Sequence, residues 1–70
     1  MQDKRVFREV FNFFVKYRDM IGRVDREALW SSAAEEMGRL GAILGNTEFV
    51  HALFIAAYQE LERRDIANER

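Results

Sequence analysis

From Val6 to Val24 the apolar side chains recur at steps of three and four, the spacing of one face of an α-helix. Val6, Val10, Phe13, Tyr17, Met20 and Val24 form one stripe, and Phe7, Phe11, Phe14 and Ile21 form a second beside it. Together they cover roughly half the circumference, more than the stripe of an ordinary surface helix. The run predicts a helix over about 3–21. Such a helix needs two neighbours: two helices of its own chain, or one helix and a second subunit. Consecutive Phe13, Phe14 and Val15 break the alternation that a strand requires. Aromatic side chains in this pattern are core residues first and stacking platforms only second.

The first helix should stop at Gly22, a residue suited to the left-handed conformation of a helix end. Asp25 is placed to cap the next helix by accepting from its free N–H groups. Val24 and Leu29 have the spacing of a hydrophobic staple. Glu27 falls in the first turn, where the helix dipole favours an anion. A second helix is expected over 26–44, with Leu29, Trp30, Ala33, Met37, Leu40 and Leu44 on one face and Ser31, Ser32, Glu35 and Arg39 opposite. Ala34, Gly38, Gly41 and Gly45 make a stripe of small residues next to the apolar one. A glycine inside a helix costs about 0.5–1 kcal/mol relative to alanine. The pair Gly38 and Gly41 therefore suggests close approach by another backbone, or by Phe11 and Phe14 of the first helix.

Gly45 or Asn46 can end the second helix, and Thr47 can cap a third, with Glu48 in its first turn. The third helix is expected over 47–66, with Phe49, Val50, Leu53, Phe54, Ala57, Tyr58 and Leu61 facing inward. Glu60 and Arg64 have the favourable order of an i,i+4 pair. The polar segment 65–70 is expected to fray. Both turns are short, so consecutive helices should run antiparallel. The expected fold is all-α: three antiparallel helices in an up-down-up bundle over 1–70, open to completion by dimerisation.

At 70 residues the core is marginal on size alone, because a chain this short buries only about 60% of its unfolded surface. Cysteine is absent, which removes disulfides and thiolate metal sites and is consistent with a reducing compartment. No apolar leader opens the chain and no apolar run nears the ~20 residues of a membrane span. A cytoplasmic protein without membrane association is expected. The net charge of −1 is unevenly spread. Residues 1–24 hold Lys4, Arg5, Arg8, Lys16, Arg18 and Arg23 against Asp3, Glu9 and Asp19, a net of +3. Residues 25–48 hold Arg26 and Arg39 against five carboxylates, a net of −3. A positive first helix beside a negative second one favours antiparallel neighbours.

Chemistry is sparse. Ser31 and Ser32 sit mid-helix without the strained turn that a nucleophile needs. The single histidine, His51, lies at the edge of an apolar face and reads as a half-buried packing residue. Adjacent Glu35 and Glu36 diverge by about 100° on a helix and cannot share a metal. No catalytic, cofactor or metal residue is assigned, and neither enzyme activity nor a small-molecule substrate is expected. Arg5, Lys16 and Arg23 share a stripe flanked by Arg8, a candidate row of phosphate contacts for nucleic acid, although Glu9 and Asp19 interrupt it. Association features are more suggestive. Ile55 and Ile66 stand off the main face of the third helix, Val15 off that of the first, and Trp30 is large for a bundle of this size. With Gly38 and Gly41 they make the candidate interface: Val15, Trp30, Gly38, Gly41, Ile55 and Ile66.

The stretches FVKYRDMI (14–21), GNTEFV (45–50) and YQELERR (58–64) resemble those of small uncharacterised helical proteins carried by bacterial prophages and mobile elements. The resemblance spans most of the chain. It implies a bacterial cytosolic accessory protein and carries over no functional residue. The sequence thus points to a non-enzymatic helical interaction module, partnered by itself as a homodimer or by another protein. Its alternative is a nucleic-acid-binding accessory using Arg5, Arg8, Lys16 and Arg23.

Overall fold

Two capped turns divide the chain as their residues dictate. The computed structural model describes residues 3–68 as three helices, α1 (Asp3–Met20), α2 (Arg26–Ile43) and α3 (Glu48–Asn68), and the described residues contain no strand. Gly22 ends α1 with φ +80°, and a Cβ there would also meet Asn68 Nδ2 at 2.8 Å. Asp25 Oδ2 accepts from the Ala28 N–H at 3.1 Å, as a cap should. Val24 stays 42% exposed, so the expected staple covers little. At the second turn Gly45 takes φ +101°, the Gly45 N–H reaches Ala42 O and the Asn46 N–H reaches Gly41 O at 2.8 Å. These two bonds form a Schellman end. Thr47 Oγ1 then accepts from the Val50 N–H at 3.2 Å.

Ring contacts fix the topology. Phe7 meets Phe49 near the starts of α1 and α3, Phe13 meets Phe54 further along, and Gly22 meets Asn68 at their ends. α1 and α3 therefore run parallel. α2 runs back between them, since Arg26 at its start pairs with Asp65 near the end of α3. The bundle is up-down-up, and its tightest packing joins α1 to α3. Val6, Val10, Phe13 and Tyr17 of α1, Leu29 and Ala33 of α2, and Val50, Phe54 and Leu61 of α3 make the core. The molecule is a rod of 41 × 17 × 16 Å. Its radius of gyration of 12.2 Å exceeds the roughly 11 Å of a compact chain this long. A rod this thin has one central column of buried side chains and long outer flanks.

Several expectations change. α3 runs past Ile66 to Asn68, so 65–68 does not fray; residues 69 and 70 lie outside the described residues. The reason is Asp65, which is only 7% exposed and anchors the last turn to α2. His51 is exposed rather than half-buried, and Val15 is half-buried rather than open. The glycine stripe receives no aromatic. Phe11 is 64% exposed on the far side of α1, and Phe14 packs under Arg64, whose guanidinium carbon stands 4.9 Å from the ring centre. Gly41 is buried under the Asn46 side chain, whose Oδ1 would be 3.2 Å from an added Cβ. At Gly38 an added Cβ meets nothing within 4 Å. Gly38→Ala should accordingly stabilise the bundle by about 0.5–1 kcal/mol, the ordinary helix-interior preference, visible as a raised urea midpoint. A lowered midpoint would show that this position cannot carry a methyl.

Candidate functional site

The cations of α1, candidates for the alternative nucleic-acid reading, are dispersed by the fold. Lys16 Nζ pairs with Glu36 Oε1 of α2 at 2.7 Å. The same carboxylate oxygen accepts from the Tyr17 hydroxyl at 2.8 Å, and that hydroxyl also shares a hydrogen bond with Ser32 Oγ at 3.0 Å. Arg39 stands 3.9 Å away. Burial alone would raise the Glu36 carboxyl. The hydrogen bonds from Lys16 and Tyr17, with the charges of Lys16 and Arg39, outweigh it and hold the group below the usual carboxylate value. The Lys16 ammonium is raised, chiefly by its bond to Glu36. This cluster latches α1 to α2. Tyr17 thus buries its ring in the core and sends its hydroxyl to the polar edge. Ser32, expected on the far polar side of α2, is one of its partners.

Of the other three cations, Arg8 leans on Glu9 at 3.7 Å. Arg5 and Arg23 are exposed and make no ion pair with a described residue. The four do not converge on one phosphate-sized site.

Apolar surface collects elsewhere. Phe7, Phe11 and Val15 recur every four residues and so form one row along the outer side of α1. Phe7 is 54% exposed and packs edge-to-face on Phe49, itself 42% exposed, with ring centres 5.5 Å apart. Beyond Phe49 the outer positions of α3 carry the small side chains Ala52 and Ala56, both exposed. The result is a shallow aromatic seam between α1 and α3. Its far end is polar: Arg63 and Arg64 both bond Glu60, at 2.9 and 3.0 Å. Those two bonds, Arg64's first, hold the exposed Glu60 carboxyl below its ordinary value.

The opposite flank, between α2 and α3, holds two of the six interface candidates, Trp30 and Ile66. Trp30 and Tyr58 meet with ring centres 5.1 Å apart at 58°. Trp30 Nε1 donates to Asp65 Oδ2 at 3.2 Å, and Arg26 Nε stands 3.0 Å from the same oxygen. Trp30, Tyr58, Glu62, Asp65 and Ile66 line a hollow of about 280 Å³. Ile55 lies in one helical row with Glu62 and Ile66. Gly38 and Gly41 follow Trp30 along α2, Gly38 open and Gly41 covered. Val15 lies apart from them, in the row of Phe7 and Phe11 on α1.

Comparison with protein-family models, with curated proteins and with solved structures gives no match. The surfaces therefore have to be judged on their own geometry. Among the described residues no group of three or more His, Cys, Asp or Glu side chains converges as a metal site. No described helix is long and apolar enough to cross a membrane. Every buried side-chain nitrogen and oxygen among the described residues has a partner, so the interior holds no polar group waiting for a ligand.

Sequence reasoning missed Asp65 and the exposure of the Phe7–Phe11 row. The first had a signal. Phe54, Tyr58, Leu61 and Asp65 step by four, three and four, which puts the carboxylate on the buried face one turn beyond Leu61. The second had none within α1 alone, because only the placement of α2 decides which of two apolar stripes is left uncovered.

Proposed function

We propose that this chain is a non-enzymatic helical interaction module that pairs with a second copy of itself through the α1–α3 seam. The observation behind this reading is the row Phe7, Phe11 and Phe49, each more than two-fifths exposed. Three large rings at that exposure present on the order of 300 Å² of aromatic surface, within the range of the largest apolar patch of a monomer, which is often functional. The flank of a 41 × 17 Å rod offers about 700 Å², close to the ~800 Å² per partner of a standard interface. A two-fold dimer uses the same patch on both subunits, so seam on seam would cover both copies at once. The absence of cysteine suits a cytoplasmic setting. The basic face supports nucleic-acid binding less well, because Lys16 and Arg8 already face carboxylates.

Sedimentation equilibrium from micromolar to millimolar concentration tests the reading. The wild-type chain should reach dimer mass, and Phe11→Lys should remain monomeric with an unchanged far-UV circular dichroism spectrum. Ile55→Glu, on the other flank, should dimerise as the wild type does. A wild-type monomer at every concentration would rule out self-association. Dimer loss in Ile55→Glu but not in Phe11→Lys would move the interface to the α2–α3 flank.

A further inference from the structure

We propose that the hollow between α2 and α3, walled by Trp30, Tyr58 and Ile66 and edged by the Glu62 carboxylate, binds a methylated ammonium group. It lies across the bundle from the seam, so the proposal stands apart from self-association.

Shape comes first. The volume of about 280 Å³ falls just under the roughly 300 Å³ at which pockets for whole cofactors begin. It suits one small head group and the start of a stem. The two rings meet at 58°, which makes a notch rather than a parallel slot. A rounded tetrahedral head can touch both faces of such a notch, whereas a flat guanidinium can lie on only one. The faces of Trp and Tyr carry the negative part of the ring quadrupole and attract a cation, Trp most strongly.

Charge points the same way. Glu62 and Asp65 contribute two negative charges at the hollow, and Arg26 answers one of them from 3.0 Å. The surplus of carboxylates among the described lining residues suits a cation. Asp65 is spent on Arg26 and on the Trp30 N–H, which fixes the indole in place and leaves Glu62 as the carboxylate that faces a guest. One available carboxylate is too few for a divalent metal, which requires several oxygen ligands. An anion would be repelled. Tyr58 stays a neutral phenol, since burial and then the Glu62 charge push its hydroxyl upward. Hydration separates the remaining cations. A bare ammonium is compact and strongly hydrated, so an apolar notch with one carboxylate repays its desolvation poorly. Methyl groups remove those N–H donors and add surface that the rings and Ile66 can cover.

The chain has one tryptophan, and it lines the hollow, so its fluorescence reports binding directly. The test titrates the protein with tetramethylammonium chloride, with sodium chloride at equal ionic strength as the reference. The expected result is a saturable change with half-saturation on the order of 1–10 mM, the weak affinity of a small head group. Amide and indole NMR shifts should move at Trp30, Tyr58, Glu62 and Ile66 and stay still at Phe7 and Phe11. Glu62→Gln, a change at an exposed position, should keep the helical spectrum and weaken binding five- to tenfold.

Two peptide arms locate the source of the cation. A peptide bearing trimethyllysine that binds more tightly than tetramethylammonium assigns the site to a modified protein. Equal affinity assigns it to a free small cation. The proposal is overturned if sodium produces the same response, if no saturation occurs by about 100 mM, if Glu62→Gln binds as well as the wild type, or if an unmethylated lysine peptide binds as tightly as the methylated one.

Discussion

Phe13→Ala should cost about 3–5 kcal/mol, the usual range for deleting a fully buried phenylalanine. The residue is 1% exposed. Its ring touches Phe54 edge-to-face at 5.3 Å and Tyr17 at 5.0 Å, so it joins the two helices that pack most tightly. A domain of this size has roughly 4–10 kcal/mol of stability in all. The variant should therefore lose between about a third and all of that stability. Urea denaturation followed by circular dichroism measures the loss. Phe11→Ala, two positions earlier, should change the dilute protein by no more than about 0.5 kcal/mol, as surface substitutions do. A Phe13→Ala loss below about 1.5 kcal/mol would mean that the core can collapse around the gap, and the packing described here would be wrong in its centre.

Asp65→Ala ranks second, at about 2–3 kcal/mol. The substitution removes the acceptor of the Trp30 indole N–H and the carboxylate that faces the Arg26 guanidinium. Arg26 is half exposed and can turn toward water, which keeps the figure below that of a wholly buried pair. For a domain this small each kcal/mol lowers the melting temperature by about 4–8 °C, so a drop of 8 °C or more is expected. Asp65→Asn keeps an acceptor for Trp30 and should lose about half as much. The emission of Trp30 supplies a second readout, because release of the indole from α3 should shift it to the red. Equal melting temperatures for Asp65→Ala and the wild type would mean that the last turn of α3 is held by other contacts.

Much of this architecture could be read from the order of residues. The helix bounds lie within two residues of expectation because Gly22, Asp25, Gly45 and Thr47 each act locally, through a left-handed φ or a capping oxygen. The inner stripe of α1 was legible for the same kind of reason, since period alone separates it from the solvent side. What period cannot do is choose between two apolar stripes on one helix. Val6, Val10, Phe13 and Tyr17 went inward and Phe7 and Phe11 outward because α2 packs on one side of α1 only, a fact of three-dimensional arrangement. The glycines misled for a related reason. A small residue permits close approach but does not require it, and Gly38 faces open space. Tyr17 and Asp65 show a third limit. Each is a core residue by position whose polar atoms reach a partner on α2, and helical phase describes only the first property. Of the six candidate interface residues, Trp30 and Ile66 line the α2–α3 hollow and Val15 lies in the α1 row, a division that helical phase within one helix does not reveal.

The parallel seam of α1 and α3 has a kinetic side. Its contacts pair residues about forty positions apart in the chain, as with Phe7 and Phe49 or Phe13 and Phe54. A hairpin of neighbouring helices closes a short loop, whereas a first-to-last pairing must close a loop of about forty residues before any of its contacts repays that entropy. On loop entropy alone, the α1–α3 pairing is expected to form after the hairpins of neighbouring helices. Until it does, the nascent chain displays the aromatic rows of its first helix to whatever is nearby.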